Sequence, residues 1–347
     1  MPGRALLLLL ILSFLAGIGS ARAQPAVVDS NTVVVLPFAN YSGRYESLRS
    51  VMPVFYSRLD SAGLHVMTHD DLRPLLREHR IRVVGRMGTR SMDILRAETG
   101  VRLAIVGSID IYEPDRALEV MISARLVDLR QHAVLTAISV GKTVQETERS
   151  FGRDRAQAIE EVIDLVVDEF MAAMGPAIRA RGPRPDRYHA CGLVSVIPLE
   201  NYSKRRHGAE VLQNLLMSEL VARNWTIVEP GIVQEILLEA QRLARGGVSD
   251  DVLRLLRDQT GACLVVTGEV EEFSVAPGQV DNAVPRLGYG LRLVDARELR
   301  LLATIDQERD GMKGEHFFAR GREYSMARLA RETMEDVVTW ISKEGER

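Results

Sequence analysis

Residues 33–42 read VVVLPFANYS, and residues 194–203 read VSVIPLENYS. In each stretch a short apolar run passes through a proline into the triplet Asn-Tyr-Ser. A continuous apolar run of this length is typical of a strand that is buried on both faces. Asn and Ser favour the turn that follows, because their side chains hydrogen-bond to the nearby backbone. The chain therefore contains the same strand-and-turn unit twice.

The similarity continues along the chain at a nearly constant spacing. Residues 33–107 match residues 194–268 without a gap, at a spacing of 161 residues. The sequence RLVD at 125–128 then returns at 292–295, at a spacing of 167. The six extra residues fall within 276–287, which contains Gly and Pro and is predicted to be a hairpin loop. A duplication that changes length only at a turn is expected of a repeated folded unit.

Each copy has a pattern that predicts the element order β-α-β-α-α-β-β-β-α. Apolar residues recur every three to four positions from Leu48 to Ala62, which predicts a helix. Gly100 follows a second such pattern and is typical of a helix C-terminal cap. Three strands are predicted over 102–111, 117–127 and 133–141, followed by a helix over 154–174. The fold class predicted is α/β with a mixed (α+β) sheet, in two tandem repeats.

The composition indicates a packed globular protein. Hydrophobic residues make up 46% and charged residues 26% of the 347 residues, which excludes a disordered or collagen-like chain. The formal net charge is −3, so the chain has no basic excess for nucleic-acid binding.

The N-terminus has the pattern of a secretory signal peptide. In residues 1–23 a single charge at Arg4 precedes an apolar run of about 14 residues, shorter than a membrane span, and Ala-Arg-Ala follows. No cysteine follows the run, so a lipoprotein anchor is not expected. We predict a first domain over 24–174, a linker over 175–190 and a second domain over 191–343. The expected location is the periplasm, and peripheral association with the outer membrane is left open.

The chain has two cysteines, Cys191 and Cys263. In an oxidising compartment they could form a disulfide, and the alternative is two buried free thiols. Neither lies in a CxxC motif, so metal binding by these residues is not expected.

Several short motifs occur in both copies. In the first copy they are LPFANYS at 36–42, TGV at 99–101, IVGSI at 105–109 and ARLVD at 124–128, and LREHRI at 76–81 accompanies them. The second copy carries IPLENYS at 197–203, TGA at 260–262, VTGEV at 266–270 and LRLVD at 291–295. On these motifs each copy resembles the bacterial envelope domains of the CsgG and TolB amino-terminal type. The penicillin-binding-protein activator lipoproteins belong to the same broad group.

The resemblance implies a non-catalytic domain that assembles or regulates envelope machinery through protein contacts. The curli channel proteins of the group are lipoproteins whose hairpins form a pore. This sequence has neither the lipidation cysteine nor long alternating strands flanked by aromatic residues, so the channel function is not carried over.

The two Asn-Tyr-Ser triplets are candidate interaction residues. Asn40, Tyr41 and Ser42, like their counterparts in the second copy, follow a strand whose carboxyl end could form a recognition loop. The alternative is a turn held by side-chain hydrogen bonds, which the presence of the triplet in both copies favours. The candidates in the second copy are the triplet Asn201, Tyr202 and Ser203 and the basic run that follows this triplet, Lys204, Arg205 and Arg206. The basic run is interpreted either as a solvated loop or as a docking patch for an anionic partner.

Other residues give weaker indications. The glycine-bearing loops at 85–88 and 246–247 have no Lys-Ser/Thr, so a phosphate site is not expected. His65, His69, Asp70 and Asp71 are close in sequence, but the second copy has no metal-ligating residue at their counterparts. No nucleophile motif or distinctive carboxylate pair is present, so neither enzymatic activity nor a cofactor is expected.

The sequence therefore predicts a periplasmic, non-enzymatic scaffold or accessory protein for envelope assembly or secretion, with envelope proteins as partners. The alternatives are an activator of a cell-wall synthase and a periplasmic ligand-binding protein that uses a cleft between the copies. Self-association is left open, because an exposed sheet edge favours rings or filaments as readily as monomers.

Overall fold

The computed structural model describes residues 31–82, 85–115, 118–144, 155–180, 192–240, 248–275, 284–312 and 323–345. Here residues 31–180 are called the first half, and residues 192–345 the second half. The predicted signal peptide and Cys191 lie outside the described residues.

The elements of the first half are β1 (Thr32–Val35), β2 (Ala39–Asn40), α1 (Ser47–Ser61), β3 (His65–Met67), α2 (His69–Glu78), α3 (Thr89–Thr99), β4 (Leu103–Glu113), β5 (Glu119–Asp128), β6 (Ala133–Thr143) and α4 (Arg155–Ala180). Those of the second half are β7 (Leu193–Val196), β8 (Glu200–Asn201), α5 (Gly208–Ala222), β9 (Thr226–Ile227), α6 (Pro230–Glu239), α7 (Asp250–Thr260), β10 (Leu264–Val275), β11 (Pro285–Asp295), β12 (Arg300–Asp310) and α8 (Met326–Gly345).

Both halves have the same order of elements, so the predicted mixed α/β fold is confirmed and the two similar units are consistent with a tandem repeat. One element was not predicted. A two-residue strand, β2 or β8, follows the proline of each opening strand and pairs with β4 or β10.

Each half forms one mixed sheet. The strand order is β3-β1-β4-β5-β6 in the first sheet and β9-β7-β10-β11-β12 in the second. Within each sheet the first three strands are parallel and the last three are antiparallel. The register shifts at Asp110 in β4 and at Glu271 in β10, which are equivalent positions. This shared bulge supports the alignment of the halves by residue spacing.

The first sheet is buried on both faces. Helices α1 and α4 cover one face, where Phe55 packs between Phe38 and Phe170 with ring centroids 5.2 and 5.4 Å apart. Helices α5 and α8, which belong to the second half, cover the opposite face. Every residue of β5 is therefore buried.

Helix α5 lies between the two sheets and contacts both of them. Almost all of its side chains are buried, whereas α1 buries a single stripe. Its apolar side chains lie on more than one side, so α5 buries them only in the interior, and its polar Asn214 and Ser218 are hydrogen-bonded to the first half.

The structure differs in two respects from the predicted linker between two separate domains. Helix α4 continues to Ala180, so residues 175–180 of the predicted linker are helical. One hydrophobic core also includes Val34 and Val106 of the first half together with Leu215 and Met334 of the second. The halves therefore share a core, which a linker prediction based on composition did not anticipate.

Replacing Gly141 with alanine is expected to lower the free energy of unfolding by about 1–3 kcal/mol. A Cβ at this position in β6 would lie 2.5 Å from the Cβ of Ala327 in α8, so the two halves would have to move apart. The measurement is urea unfolding of the purified protein. Glu308, the equivalent of Gly141 in β12, is exposed, and Glu308→Ala is the control with an expected loss of less than about 1 kcal/mol. Equal stability of Gly141→Ala and wild type would contradict the tight packing.

Among the described residues, no helix has the length and apolarity that crossing a membrane would need.

Candidate interaction surface

Both Asn-Tyr-Ser triplets use their Asn and Ser side chains to hold a turn. Asn40 Nδ2 donates to the Arg44 carbonyl at 2.7 Å, and Ser42 Oγ donates to Asn40 Oδ1 at 2.7 Å. In the second half, Asn201 Nδ2 donates to the Arg205 carbonyl at 2.8 Å. These bonds lead the chain into α1 or α5, so the geometry supports the turn interpretation for Asn and Ser.

The two tyrosines of the triplets have different environments. The ring of Tyr41 lies 5.0 Å from that of His207, and burial raises the pKa of Tyr41. Tyr202 is 64% exposed, and its hydroxyl donates to Glu200 at 2.5 Å. The second half therefore exposes an aromatic ring where the first half covers one.

The predicted basic patch contains one residue that points into the protein. Lys204 and Arg206 are exposed. Arg205 lies with its guanidinium 5.0 Å from the ring centroid of Phe273 and donates to the Asp110 carbonyl at 2.6 Å. Arg205 thus contacts the first half and is partly buried there, so it does not form a surface patch with Lys204 and Arg206.

A buried set of polar side chains, called here the polar junction, joins the two halves. Its members are Ser108, Asp110, Ser123, Arg125, Ser139, Asn214, Ser218 and Glu229. Arg125 Nε donates to Glu229 Oε2 at 2.7 Å, and Arg125 Nη2 donates to the Gly85 carbonyl at 2.6 Å. The ion pair is nearly inaccessible, with side-chain exposures of 3% and 0%. Buried charges of this kind are normally paired and hydrogen-bonded, as they are here.

Asp110 lies at the centre of the polar junction. Its carboxylate accepts hydrogen bonds from Ser108, Ser123 and Asn214. Burial raises the pKa of Asp110 to about 6, and the three hydrogen bonds oppose this rise. Burial outweighs them because the carboxylate is fully enclosed and no cationic side chain among the described residues pairs with it directly.

Glu119 provides a second polar contact between the halves. Its carboxylate accepts from Ser325 Oγ at 2.5 Å and from the Ala327 backbone at 2.8 Å, at the start of α8. A carboxylate at a helix N-terminus satisfies backbone donors and complements the helix dipole. Burial raises the pKa of Glu119.

The sequence analysis did not identify the polar junction. The available signal was the set of polar residues within strands that are otherwise apolar, such as Ser123 and Arg125 in β5. A strand with two buried faces allows polar residues only where a partner satisfies them.

Helices α6 and α7 cover one part of a face of the second sheet, and the rest of that face, which nothing in the described residues covers, is called here the open face. It is formed by Glu269, Glu272, Arg286, Gly288, Gly290, Arg292, Thr304, Asp306, Glu308 and Asp310. The equivalent face of the first sheet carries the polar junction and is covered by α5 and α8. Five carboxylates and two guanidinium groups make the open face acidic. Its outer strand, β12, is the last strand of the sheet, and no described strand pairs with its outer edge.

The remaining sequence candidates have local structural roles. The backbone N–H of Met87, in the glycine-bearing loop at 85–88, donates to Glu229 at 3.1 Å. Asp71 accepts from Thr68 at the start of α2, which lowers the pKa of Asp71. Asp70 pairs with Arg73. Among the described residues no three potential metal ligands come together. Residues 246–247 lie outside the described ranges.

The structure describes Cys263 but not Cys191, the other cysteine of the predicted pair. Cys263 takes part in a disulfide and is 9% exposed. Because Cys191 lies outside the described residues, the pairing of these two residues remains a prediction.

Comparison with known proteins gives similarities to solved structures only. No protein family model and no curated protein matches the chain. The PelC dodecamer of Paraburkholderia phytofirmans is 17% identical, with a TM-score of 0.32 over 47% of this chain and 93% of its own. Lipoprotein GNA1162 of Neisseria meningitidis is 17% identical, with a TM-score of 0.31 over 44% and 99%. The C-terminal domain of LpoB from Escherichia coli is 12% identical, with a TM-score of 0.25 over 36% and 86%. These similarities assign no function to the chain.

Proposed function

We propose that this protein is a non-enzymatic scaffold or accessory protein of the bacterial cell envelope that acts by binding other proteins. The observation that carries the proposal is the open face of the second sheet. The predicted signal peptide and the resemblance to envelope domains support the cellular location.

The open face has the composition of a binding surface. The same face of the first sheet is covered by two helices, so this fold accepts a helical layer there. Three exposed apolar side chains lie beside the open face, namely Tyr202, Val275 and Leu301, with exposures of 64%, 43% and 53%. An acidic surface with apolar residues at its rim is suited to a protein partner.

The test places a photo-crosslinking amino acid on the open face of the full-length protein in cells. Incorporation at Glu308 is expected to give covalent adducts with envelope proteins, and incorporation at Glu335, on the exposed side of α8, is the control. Adducts at Glu308 that are absent at Glu335 support the proposal. If the two positions give the same background, the open face is not a binding surface.

If an adduct is a cell-wall synthase, assay of glycan polymerisation with purified protein tests the activator alternative.

A groove between the halves favours a second function, that of a ligand-binding protein. The groove has a volume of about 630 Å³ between α3 and α6, and Arg90, Asp93, Glu235 and Glu239 are among its lining residues. Glu235 is already engaged, because its carboxylate accepts from the Thr89 backbone at 2.7 Å. Thermal-shift measurements with sugars, nucleotides and divalent cations test this function. A concentration-dependent rise in melting temperature that Glu239→Ala abolishes would favour it over the scaffold.

A further inference from the structure

We propose that the open face binds the first half of a second copy of this chain, so that copies associate head to tail. The inference rests on the proposed function, because it names the partner of the same surface. It is argued from the contact between the two halves of one chain.

The contact within the chain shows how a half of this fold covers the sheet before it. Helix α5 of the second half lies on β5 and β6 of the first. Ser218 Oγ accepts a hydrogen bond from the Ser139 backbone N–H, on the outer edge of β6, at 2.9 Å. Arg205, just before α5, reaches across to the carbonyl of Asp110.

The residue spacing gives the equivalent contact between two copies. Helix α1 is the counterpart of α5, and β12 is the counterpart of β6. Ser57 occupies the position of Ser218, so the serine is present in both helices, and in α1 it is exposed. Asp306 occupies the position of Ser139. The contact would therefore place Ser57 of one copy beside Asp306 of the next.

The charges on the two surfaces are complementary. Arg44, which is 40% exposed and pairs with Asp115 at 2.8 Å, occupies the position of Arg205, so in the equivalent contact it would also lie near Glu269 and Glu272. Arg49 on α1 adds a second exposed positive charge. Opposite charges brought together in this way favour and orient association.

A second pair of opposite charges is expected at the positions equivalent to the Arg125–Glu229 ion pair. The counterpart of Arg125 is Arg292, on the open face. Thr68 occupies the position of Glu229, and Asp71 and Asp70 lie beside it at the start of α2. A second copy would thus bring carboxylates toward Arg292.

An exposed apolar side chain lies beside the open face, where the contact would cover it. Leu301 is 53% exposed, whereas its counterpart Val134 is 6% exposed and belongs to the shared core. Covering this apolar side chain favours the contact. The contact joins two different surfaces, so repetition gives rings or filaments.

Cysteine crosslinking of purified protein tests the predicted proximity. The variant carrying Ser57→Cys and Asp306→Cys in one chain is expected to form a ladder of disulfide-linked species under mild oxidation. A mixture of the two single variants is expected to give crosslinked dimers only, because each chain then has one reactive end. The control carries Ser57→Cys with Glu335→Cys. A double variant that gives no more intermolecular product than this control overturns the proposal.

Sedimentation measurements provide a second test without crosslinks. The average mass of the wild type is expected to rise with concentration between about 1 and about 100 μM, a range that detects micromolar affinity. Ser57→Glu, which would place a carboxylate against Asp306, is expected to remain monomeric, and Glu335→Gln is expected to associate like the wild type. Monomeric wild type throughout the range, together with photo-crosslinks from Glu308 to other envelope proteins, would overturn self-association and leave the proposed function standing.

Discussion

Replacing Arg125 with methionine is expected to lower the free energy of unfolding by about 3–5 kcal/mol, the usual cost of leaving a buried charge without its partner. Glu229 has no exposed side-chain surface, so water cannot solvate its carboxylate in the variant. Arg125 also donates to the Gly85 carbonyl, which would lose this partner. Because the ion pair joins the two halves, the loss should destabilise both of them together.

Urea unfolding of the variants separates the charge effect from the loss of packing. Adding Glu229→Gln to Arg125→Met removes the unpaired charge while keeping an oxygen for the Met87 backbone N–H. The double variant is therefore expected to be more stable than Arg125→Met alone. Arg254→Met, at an exposed ion pair on α7, is the control with an expected loss of less than about 1 kcal/mol. A loss at Arg125 no larger than at Arg254 would show that the buried pair does not hold the halves together.

Replacing Asp110 with asparagine is expected to increase stability at pH 8 by up to about 3 kcal/mol, the free energy that corresponds to a pKa raised from 3.8 to about 6. Burial of the carboxylate destabilises its charged form. Asparagine has no charge and retains an oxygen that can accept from Ser108 and Asn214.

The sign of the pH dependence follows from proton binding. The folded protein binds more protons at Asp110 than the unfolded chain between pH 3.8 and about 6, because its pKa is raised on folding. This residue's contribution to stability is therefore largest below about pH 4, falls as the pH rises through about 6, and is then constant.

The measurement is the difference in the free energy of unfolding between Asp110→Asn and wild type at pH 4.5 and pH 8. The variant's advantage is expected to be larger at pH 8. Asp258→Asn, at an exposed carboxylate on α7, is the control. A difference for Asp110→Asn that is the same at both pH values would contradict a raised pKa.

The elements of each half could be predicted because their signals are local. The apolar run at 33–36 predicts a strand. Gly100 and Gly261 predict the ends of two helices, and in the structure both residues lie at helix C-termini with φ of 70° and 75°. The same positions in the two copies predict one fold for both halves. The short strands β2 and β8 were missed because two residues between a proline and a turn have no periodic pattern.

The candidate sites were harder to predict because their contacts join residues far apart in the chain. Arg205 was read with its neighbours as part of a basic loop, yet it contacts Asp110, 95 residues away. The helical residues at 175–180 contain Gly and Pro, which are typical of a linker, but packing of α4 on the first sheet outweighs this preference.

The sequence by itself determined that one α/β unit occurs twice, because hydrophobic period, glycine caps and turn residues act over a few positions and are present in both copies. Only the tertiary structure decided that α5 fills the space between the sheets, that the polar junction joins the halves, and that the second sheet keeps an open face. These features depend on which surfaces come into contact. The two halves have nearly the same local sequence pattern, but within one chain the second half packs on the first sheet, and no described half packs on the open face of the second sheet.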